Sequence, residues 1–244
     1  MKRFSFWIIV AAFTFVIGLG AVLTWLYYNQ KEIAEVEPVP LFDNSCLQSK
    51  SFPGLSRKIS ELQKGKSGYF PNETFLSKNW KESDDFHNDW YGKFLRIMDE
   101  KPLLDISDEN TEVYRFLWLR TFHHPIFVRV ERNEKTIRLF SKELDGAGGY
   151  DSRKTIKTTD TILDESQWCQ FLNLLEKSKY WQMPTEDTRL SGVDGAQWIL
   201  EGVKDGRYHI VDRFMPEKDN YGQACIYLLQ LSGVDTDRLK HELY

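Results

Sequence analysis

The strongest hydrophobic pattern in the chain is an uncharged, largely apolar block over residues 4–28, which follows Lys2 and Arg3. At about 1.5 Å of helical rise per residue, such a block is long enough to cross a hydrocarbon core of about 30 Å. It ends in bulky rings, including Trp25 and Tyr27, where a signal peptidase would require small residues. The pattern predicts an uncleaved transmembrane signal anchor, with a cleaved signal peptide as the alternative.

The charges on either side of this block predict its orientation. Residues 1–3 carry positive charge, and positively charged flanks stay in the cytoplasm. Residues 29–54 are acidic on balance and contain several prolines, which is typical of a linker. The pattern therefore predicts a cytoplasmic tip over residues 1–3. Residues 55–244 are predicted as one extracytoplasmic domain.

Two stretches beyond the linker show strand patterns. Residues 112–121 are apolar on both alternating faces, which favours a central strand covered on both sides. Residues 127–140 predict a hairpin in which Arg132 pairs with Lys135. That register places four aliphatic side chains on one face: Val128, Val130, Ile137 and Leu139.

Helical patterns separate the predicted strands. Residues 164–167 fit a capping box, and apolar side chains follow at helical spacing. Further helices are predicted over residues 88–98 and 221–232, the second of them stopped by Gly233. Hairpins alternating with helices predict an α+β fold, in which an antiparallel sheet carries helices packed mainly on one face. A single transmembrane helix precedes this domain.

A second predicted hairpin, residues 196–214, supplies the sharpest candidate site. Asp205-Gly206 is a strong signal for a two-residue turn, and it pairs Val203 with Tyr208. This register fixes which side chains of the hairpin share a face.

The hairpin register places Glu201 and Asp212 on one face as diagonal neighbours, with Tyr208 nearby. Repulsion between two close carboxylates raises the pKa of one above that of the other, so the pair can serve as acid and base. Such a pair can also hold a hard cation. We therefore take Glu201, Asp212 and Tyr208 as the candidate catalytic residues. In the alternative interpretation each carboxylate forms an ion pair with Lys or Arg on a neighbouring strand.

The opposite face of the same hairpin is a candidate binding surface. There the register stacks Trp198 against Arg213 with His209 nearby, and a cation–π contact of this kind is structural in most proteins. His123 and His124 follow the central strand, where strand-end capping or packing is the ordinary role of histidine. A metal site that joins one of them to His209 or Asp145 is the alternative. The glycine-rich residues 144–150 lack the features of a phosphate-binding loop, so they predict a turn with positive φ.

Composition narrows the functional classes. The chain has 244 residues, a formal net charge of −4 and 28% charged residues, without a long Lys/Arg cluster. A nucleic-acid partner is therefore not expected. Aromatic residues make up 14% of the chain, which favours a core built on large rings, with an aromatic-lined cleft as the alternative.

Three cysteines, Cys46, Cys169 and Cys225, allow one internal disulfide. Cys169 and Cys225 fall in predicted helices and are the candidate pair, with two buried thiols as the alternative. The spacing of the cysteines has no zinc signature, so neither a metal nor a cofactor is expected.

Four segments carry a resemblance to known sequences: residues 114–125, 144–150, 194–202 and 206–209. They resemble a family of uncharacterised bacterial membrane-anchored proteins that has no assigned activity. The similarity covers about residues 86–233. It implies a bacterial source, so the anchor would lie in the inner (cytoplasmic) membrane and the outer domain would be periplasmic or extracellular.

These observations lead to three functional hypotheses. The first is a single-pass membrane protein whose outer domain binds another envelope protein or a cell-wall glycan. The second is an envelope hydrolase that uses Glu201 and Asp212. The third is an inhibitor or immunity-type protein, which should present a broad acidic surface patch rather than a pocket. Whether the protein is an enzyme stays open at this level.

Overall fold

The computed structural model describes residues 54–64, 68–76, 83–106, 111–133, 136–187, 192, 194–216 and 219–236. The predicted anchor over residues 4–28, nearly all of the linker and Cys46 lie outside this part of the chain. Within the described residues, no helix has both the length and the apolar character needed to span a membrane.

A single antiparallel sheet of seven strands forms the centre of the described domain, in the order β1-β7-β6-β2-β3-β4-β5. The strands are β1 (Arg57–Lys58), β2 (Glu112–Arg120), β3 (Ile126–Asn133), β4 (Thr136–Leu144), β5 (Thr155–Leu163), β6 (Ala196–Lys204) and β7 (Arg207–Phe214). The sheet and the helices described next confirm the predicted α+β class.

Helices cover both faces of the sheet, so the predicted packing on mainly one face is wrong. The helices are α1 (Ile59–Leu62), α2 (Ser83–Ile97), α3 (Glu165–Ser178) and α4 (Asn220–Leu231). Helices α3 and α4 pack on one face, against Phe116 and Trp118 of β2. Helix α2 packs on the other face, against Val113 and Leu117 of the same strand. Because β2 is apolar on both alternating faces, both faces need a cover to exclude water.

The register of the hairpin β6–β7 agrees with the prediction. Val203 lies opposite Tyr208, and Glu201 lies opposite Ile210. Asp205 and Gly206 both have positive φ, 50° and 65°. Positive φ at both central residues matches the right-handed twist of the paired strands, and this is why Asp-Gly predicts such a turn.

The register of the hairpin β3–β4 differs from the prediction. Asn133 pairs with Thr136 and Arg132 with Ile137, so β3 continues one residue farther and β4 begins one residue later than predicted. The side chain of Asn133 accepts a hydrogen bond from the Thr136 N–H at 3.2 Å, which closes the loop end. A register shift of two residues leaves each side chain on its face. The four aliphatic residues predicted to share a face therefore lie together in the α3–α4 core.

The helix ends follow the predicted local signals. The carboxylate of Asp164 accepts from the Gln167 N–H at 2.8 Å, and the Gln167 side chain accepts from the Asp164 N–H at 3.0 Å. This reciprocal pair is the predicted capping box. Helix α4 begins after the cap Asp219 and is followed by Gly233, whose φ is +76°. Glycine adopts this conformation without the strain a Cβ would cause.

Strand β5 is a feature that the sequence pattern did not predict. Its residues are mainly polar and threonine-rich, and only Leu163 at its end is fully buried. As the last strand of the sheet, β5 pairs only with β4 among the described strands. An edge strand with little buried surface lacks the apolar alternation on which strand prediction depends.

The predicted disulfide between Cys169 and Cys225 is not formed. Cys225 in α4 is a free, buried thiol, whereas Cys169 in α3 is disulfide-bonded. Position in two neighbouring helices was therefore an insufficient criterion, because side chains on packed helices can point to different neighbours.

Candidate functional site

Glu201 is part of a buried ion pair that joins β6 to β2. Its Oε2 accepts hydrogen bonds from Nε and Nη2 of Arg115 at 2.8 and 2.6 Å. Its Oε1 accepts from the Tyr208 hydroxyl at 2.9 Å. Burial raises the pKa of Glu201, and Arg115 and Tyr208 oppose that rise. Glu201 thus follows the alternative interpretation, an ion pair with an arginine on a neighbouring strand.

The partners of Arg115 complete this network. Arg115 also donates to the Tyr69 hydroxyl at 2.9 Å and to the Lys101 carbonyl at 2.7 Å. The side chain of Arg115 is fully buried, and that of Glu201 is 3% exposed. Because both charges are paired and hydrogen-bonded inside the core, this arrangement stabilises one packing of the sheet and leaves little access for a substrate.

Asp212 occupies a different environment on the same face. Tyr91 of α2 donates to its Oδ2 at 2.8 Å, and Glu186 lies beside it in a parallel β-bridge. Burial raises the pKa of Asp212 to about 7, with a smaller contribution from Glu186. Its Oδ1 is buried and has no hydrogen-bond partner among the described residues. Asp212 is therefore a neutral acid in acidic solution and a costly buried anion in alkaline solution.

The predicted catalytic trio is divided between these two environments. Tyr208 and Glu201 interact with each other, as the hairpin register suggested. Asp212 shares their face but takes its hydrogen bond from Tyr91. The sequence analysis missed Arg115 and Tyr91, because the pairing of β2 with β6 and the docking of α2 join residues that are distant in the chain.

The predicted binding residues on the opposite face are core residues. Trp198 packs against Phe116 and Trp118 with ring centroids 5.5 and 5.8 Å away. His209 packs against Tyr180 with centroids 5.0 Å apart, and burial lowers its pKa to about 4. It is therefore neutral at physiological pH.

Arg213 lies opposite Trp198 in the strand register, as predicted, but its guanidinium is directed to backbone carbonyls. It donates to Pro184 O and Thr185 O at 2.8 and 2.9 Å. These contacts attach the segment 184–186 to β7. Together, Trp198, His209 and Arg213 hold the core and one sheet edge rather than line an open surface.

An open cavity of about 510 Å³ lies at the end of the sheet where β2 turns into β3. Its lining contains the histidines that follow β2, together with charged residues from β4, β5 and the segment after α4. The polar and aromatic members are Arg120, Phe122, His123, His124, Glu143, Lys157 and Asp235. Neither His209 nor Asp145 is among the residues that line it.

Glycines in residues 144–150 allow this loop to form the wall beside the cavity. Gly148 donates to Arg120 O at 2.9 Å and to His123 O at 3.0 Å. A Cβ at Gly148 would lie 2.7 Å from Arg120 O, which only a residue without a side chain avoids. Gly146 has φ +75°, in agreement with the predicted positive-φ turn. The loop thereby fixes the backbone of the β2–β3 turn, which carries the histidines.

The charged groups of the cavity are both donors and acceptors. His124 Nδ1 lies 2.8 Å from Glu143 Oε1, so Nδ1–H donates to the carboxylate. Arg120 stacks on the Trp118 ring at 4.0 Å and donates to His124 O at 3.1 Å. Lys157 and Asp235 add one charge of each sign. The cavity can therefore hydrogen-bond a polar ligand without a strong preference for one sign of charge.

The exposed ring of Phe122 lines the same cavity, and the exposed ring of Tyr150 lies beside that of Phe122. Phe122 is 54% exposed and Tyr150 is 62% exposed, with ring centroids 6.3 Å apart. Among the residues that the structure describes, no cluster of three or more His, Cys, Asp or Glu side chains could hold a metal ion. The cavity thus combines polar walls with an exposed aromatic rim.

Comparisons with known proteins give no relative: no family model, no curated protein and no solved structure matches the chain.

Proposed function

We propose that this protein is a single-pass membrane protein whose outer domain binds a polar, hydroxyl-rich ligand, such as a cell-wall glycan, in the cavity at the β2–β3 turn. The observation that carries the proposal is the cavity itself, of about 510 Å³, with its mixture of donors and acceptors and the exposed ring of Phe122. A sugar presents hydroxyl groups on its edges and C–H groups on its faces. Charged donors and acceptors suit the edges, and an aromatic ring suits the faces.

Binding is a better match than hydrolysis for the polar residues of this domain. Glu201 and Asp212 are 2% and 6% exposed, and each already has hydrogen-bond partners in the core. A hydrolytic pair would need access to substrate and to water. The open cavity also favours a ligand site over an inhibitor that acts through a broad acidic surface.

A location outside the cytoplasm is part of the same proposal. Cys169 is disulfide-bonded, and structural disulfides are typical of oxidising compartments.

The first test is thermal unfolding of residues 44–244, the compact unit that contains the sheet, in the presence of soluble cell-wall fragments. A ligand at 100 times its Kd adds about 2.7 kcal/mol, which is a rise of about 5–10 °C for a domain of this size. Disaccharide-peptide fragments should raise the melting temperature, whereas inorganic phosphate should not. A rise with phosphate alone would indicate an anion site and would contradict the glycan proposal.

A matched pair of variants connects any binding to the cavity. Phe122 and Leu76 are each 54% exposed, but only Phe122 lines the cavity. We expect Phe122→Ala to weaken glycan binding by roughly three- to tenfold, the range for loss of one ring contact. Leu76→Ala should leave the affinity unchanged. Equal effects of the two substitutions would place the binding site elsewhere.

A further inference from the structure

Strand β5 leaves one edge of the sheet open within the described residues. It is nine residues long, lies last in the strand order and pairs only with β4. Ile156 and Ile162 on this strand are 47% and 71% exposed, although isoleucine is usually buried. An exposed edge of this length offers unpaired backbone N–H and C=O groups to another strand.

The other edge strand, β1, is only two residues long, and β7 beside it is covered near both of its ends. Strand β1 pairs with β7 at Arg207 and Tyr208, and farther along β7 the N–H of Asp212 donates to Thr185 O at 2.6 Å. Arg213 holds the same segment through the carbonyl oxygens of Pro184 and Thr185. The contrast makes β5 the edge at which a further strand can be added.

The sequence of β5 is nearly symmetric about its centre, which identifies the strand that fits it. Opposite residues of an antiparallel pair lie on the same face of the sheet. A two-fold axis perpendicular to the sheet also keeps each residue on its own face. Residues on one face of a strand differ by an even number of positions. The axis must therefore lie midway between one residue and the same residue of the second copy. With Thr159 at the axis, Ile156 lies opposite Ile162 of the second copy, and this contact occurs twice.

The remaining pairs in this register are compatible. Lys157 lies opposite Thr161, Thr158 opposite Asp160, and Thr155 opposite Leu163. No like charges face each other directly. Asp160 is already paired with Arg138 of β4 at 2.6 Å, which offsets repulsion between the two Asp160 side chains on the diagonal.

Registers with the axis one residue away from Thr159 have less favourable cross-strand pairs. An axis at Asp160 would place two aspartates directly opposite each other. An axis at Thr158 would place Ile156 opposite Asp160 and would leave Ile162 without an apolar partner. Cross-strand pairs of like charge are unfavourable, and β-branched apolar pairs are favourable, so the axis at Thr159 is preferred.

We propose that two copies of this chain associate through antiparallel pairing of their β5 strands about a two-fold axis at Thr159. The second copy is the partner because each exposed isoleucine finds its apolar counterpart on the same strand of the other molecule. The two sheets then continue as one, and an isologous interface of this kind closes after two subunits.

Cysteine cross-linking tests both the interface and its register. Directly opposite residues have Cα atoms about 4.5–5.5 Å apart, within the range of a disulfide. The full-length Thr159→Cys variant in mild detergent should therefore form covalent dimers under mild oxidation. Thr161→Cys alone should not, because the two copies of residue 161 are then separated by four residues along the strand. The unsubstituted chain controls for the native cysteines.

A mixture of Ile156→Cys and Ile162→Cys chains, distinguished by size, extends this test to the exposed face of β5. The mixture should give the heterodimer only, with neither variant cross-linking to itself. Efficient self-linking of Thr161→Cys or of Thr158→Cys would overturn the register. Absence of cross-links from both Thr159→Cys and the mixture would overturn the interface.

Sedimentation of the full-length chain gives an independent readout. A pair of single strands buries a small area, and interfaces below about 1,000 Å² are weak, so concentrations near 100 μM are appropriate. Ile162→Lys should shift the equilibrium toward monomer by at least tenfold. Leu76→Lys, an equally drastic change at another exposed apolar residue, should not. A monomer throughout, or a dimer unaffected by Ile162→Lys, would contradict the proposal.

Discussion

Asp212→Asn is the perturbation that tests the electrostatics of the core most directly. In the folded protein, burial raises the pKa of Asp212 from 3.8 to about 7. The unfolded chain releases the proton near pH 4, whereas the folded protein keeps it until about pH 7. Folding therefore becomes less favourable as pH rises through this interval. The contribution of Asp212 to the unfolding free energy is fully present below pH 4. It is lost as pH rises to about 8, above which the unfolding free energy no longer changes through this group.

The expected magnitude follows from the size of the shift. A shift of about three pKa units corresponds to about 4 kcal/mol of unfolding free energy, at 1.36 kcal/mol per unit. Asparagine is neutral at every pH, and its carbonyl oxygen can accept the hydrogen bond from Tyr91. Asp212→Asn should therefore match the unsubstituted protein near pH 4 and exceed its stability by up to about 4 kcal/mol at pH 8.

Urea unfolding of residues 44–244 between pH 4 and pH 8 measures this difference. With a slope of about 2 kcal/mol per molar urea, the midpoints of the two proteins should separate by up to about 2 M at pH 8. Asp151→Asn is the control, because Asp151 is exposed and its pKa is lowered by Lys93. Glu186→Gln should reduce the separation, since it removes a charge that raises the pKa of Asp212. A separation that does not change with pH would refute the reasoning.

Two further predictions concern the structural contacts of the domain. Arg115→Met should cost about 3–5 kcal/mol because Glu201 then remains as an unpaired buried charge, and adding Glu201→Leu should restore part of this loss in a urea double-mutant cycle. Additive losses would contradict a coupled pair. Cys169→Ser should lower the unfolding free energy by about 2–5 kcal/mol, and non-reducing peptide mapping should recover Cys169 in a linked peptide and Cys225 as a free thiol. Linkage of Cys225 to another cysteine would contradict the assignment.

Local signals in the sequence were sufficient wherever structure depends on neighbouring residues. The turn Asp205-Gly206 determined the register of β6 and β7 because it dictates backbone twist at the turn itself. The capping box at Asp164 was equally local. In β3 and β4 the apolar alternation assigned the faces correctly, but it does not distinguish registers that differ by two residues.

Contacts between distant parts of the chain could not be predicted from local sequence patterns. The pairing of Glu201 with Arg115 joins residues 86 positions apart and depends on β6 lying beside β2. The cavity depends in addition on β5, which carries Lys157 and lacks a recognisable apolar pattern. His123 and His124 were visible as a strand-end pair, but Glu143 could be assigned to His124 only once β4 had been placed beside β3.

The cavity and the proposed dimer edge share strand β5, which links the two proposals physically. Lys157 lines the cavity, and its Nζ lies 3.5 Å from Gly233 O at the end of α4. Thr159, at the proposed axis, donates to Ser232 O at 3.4 Å on the same side of the sheet. Pairing of β5 with a second copy would restrict the strand that positions Lys157. If both proposals are correct, a ligand that increases cross-linking through Thr159→Cys must bind the dimer more tightly than the monomer by the same factor, because linked equilibria are reciprocal.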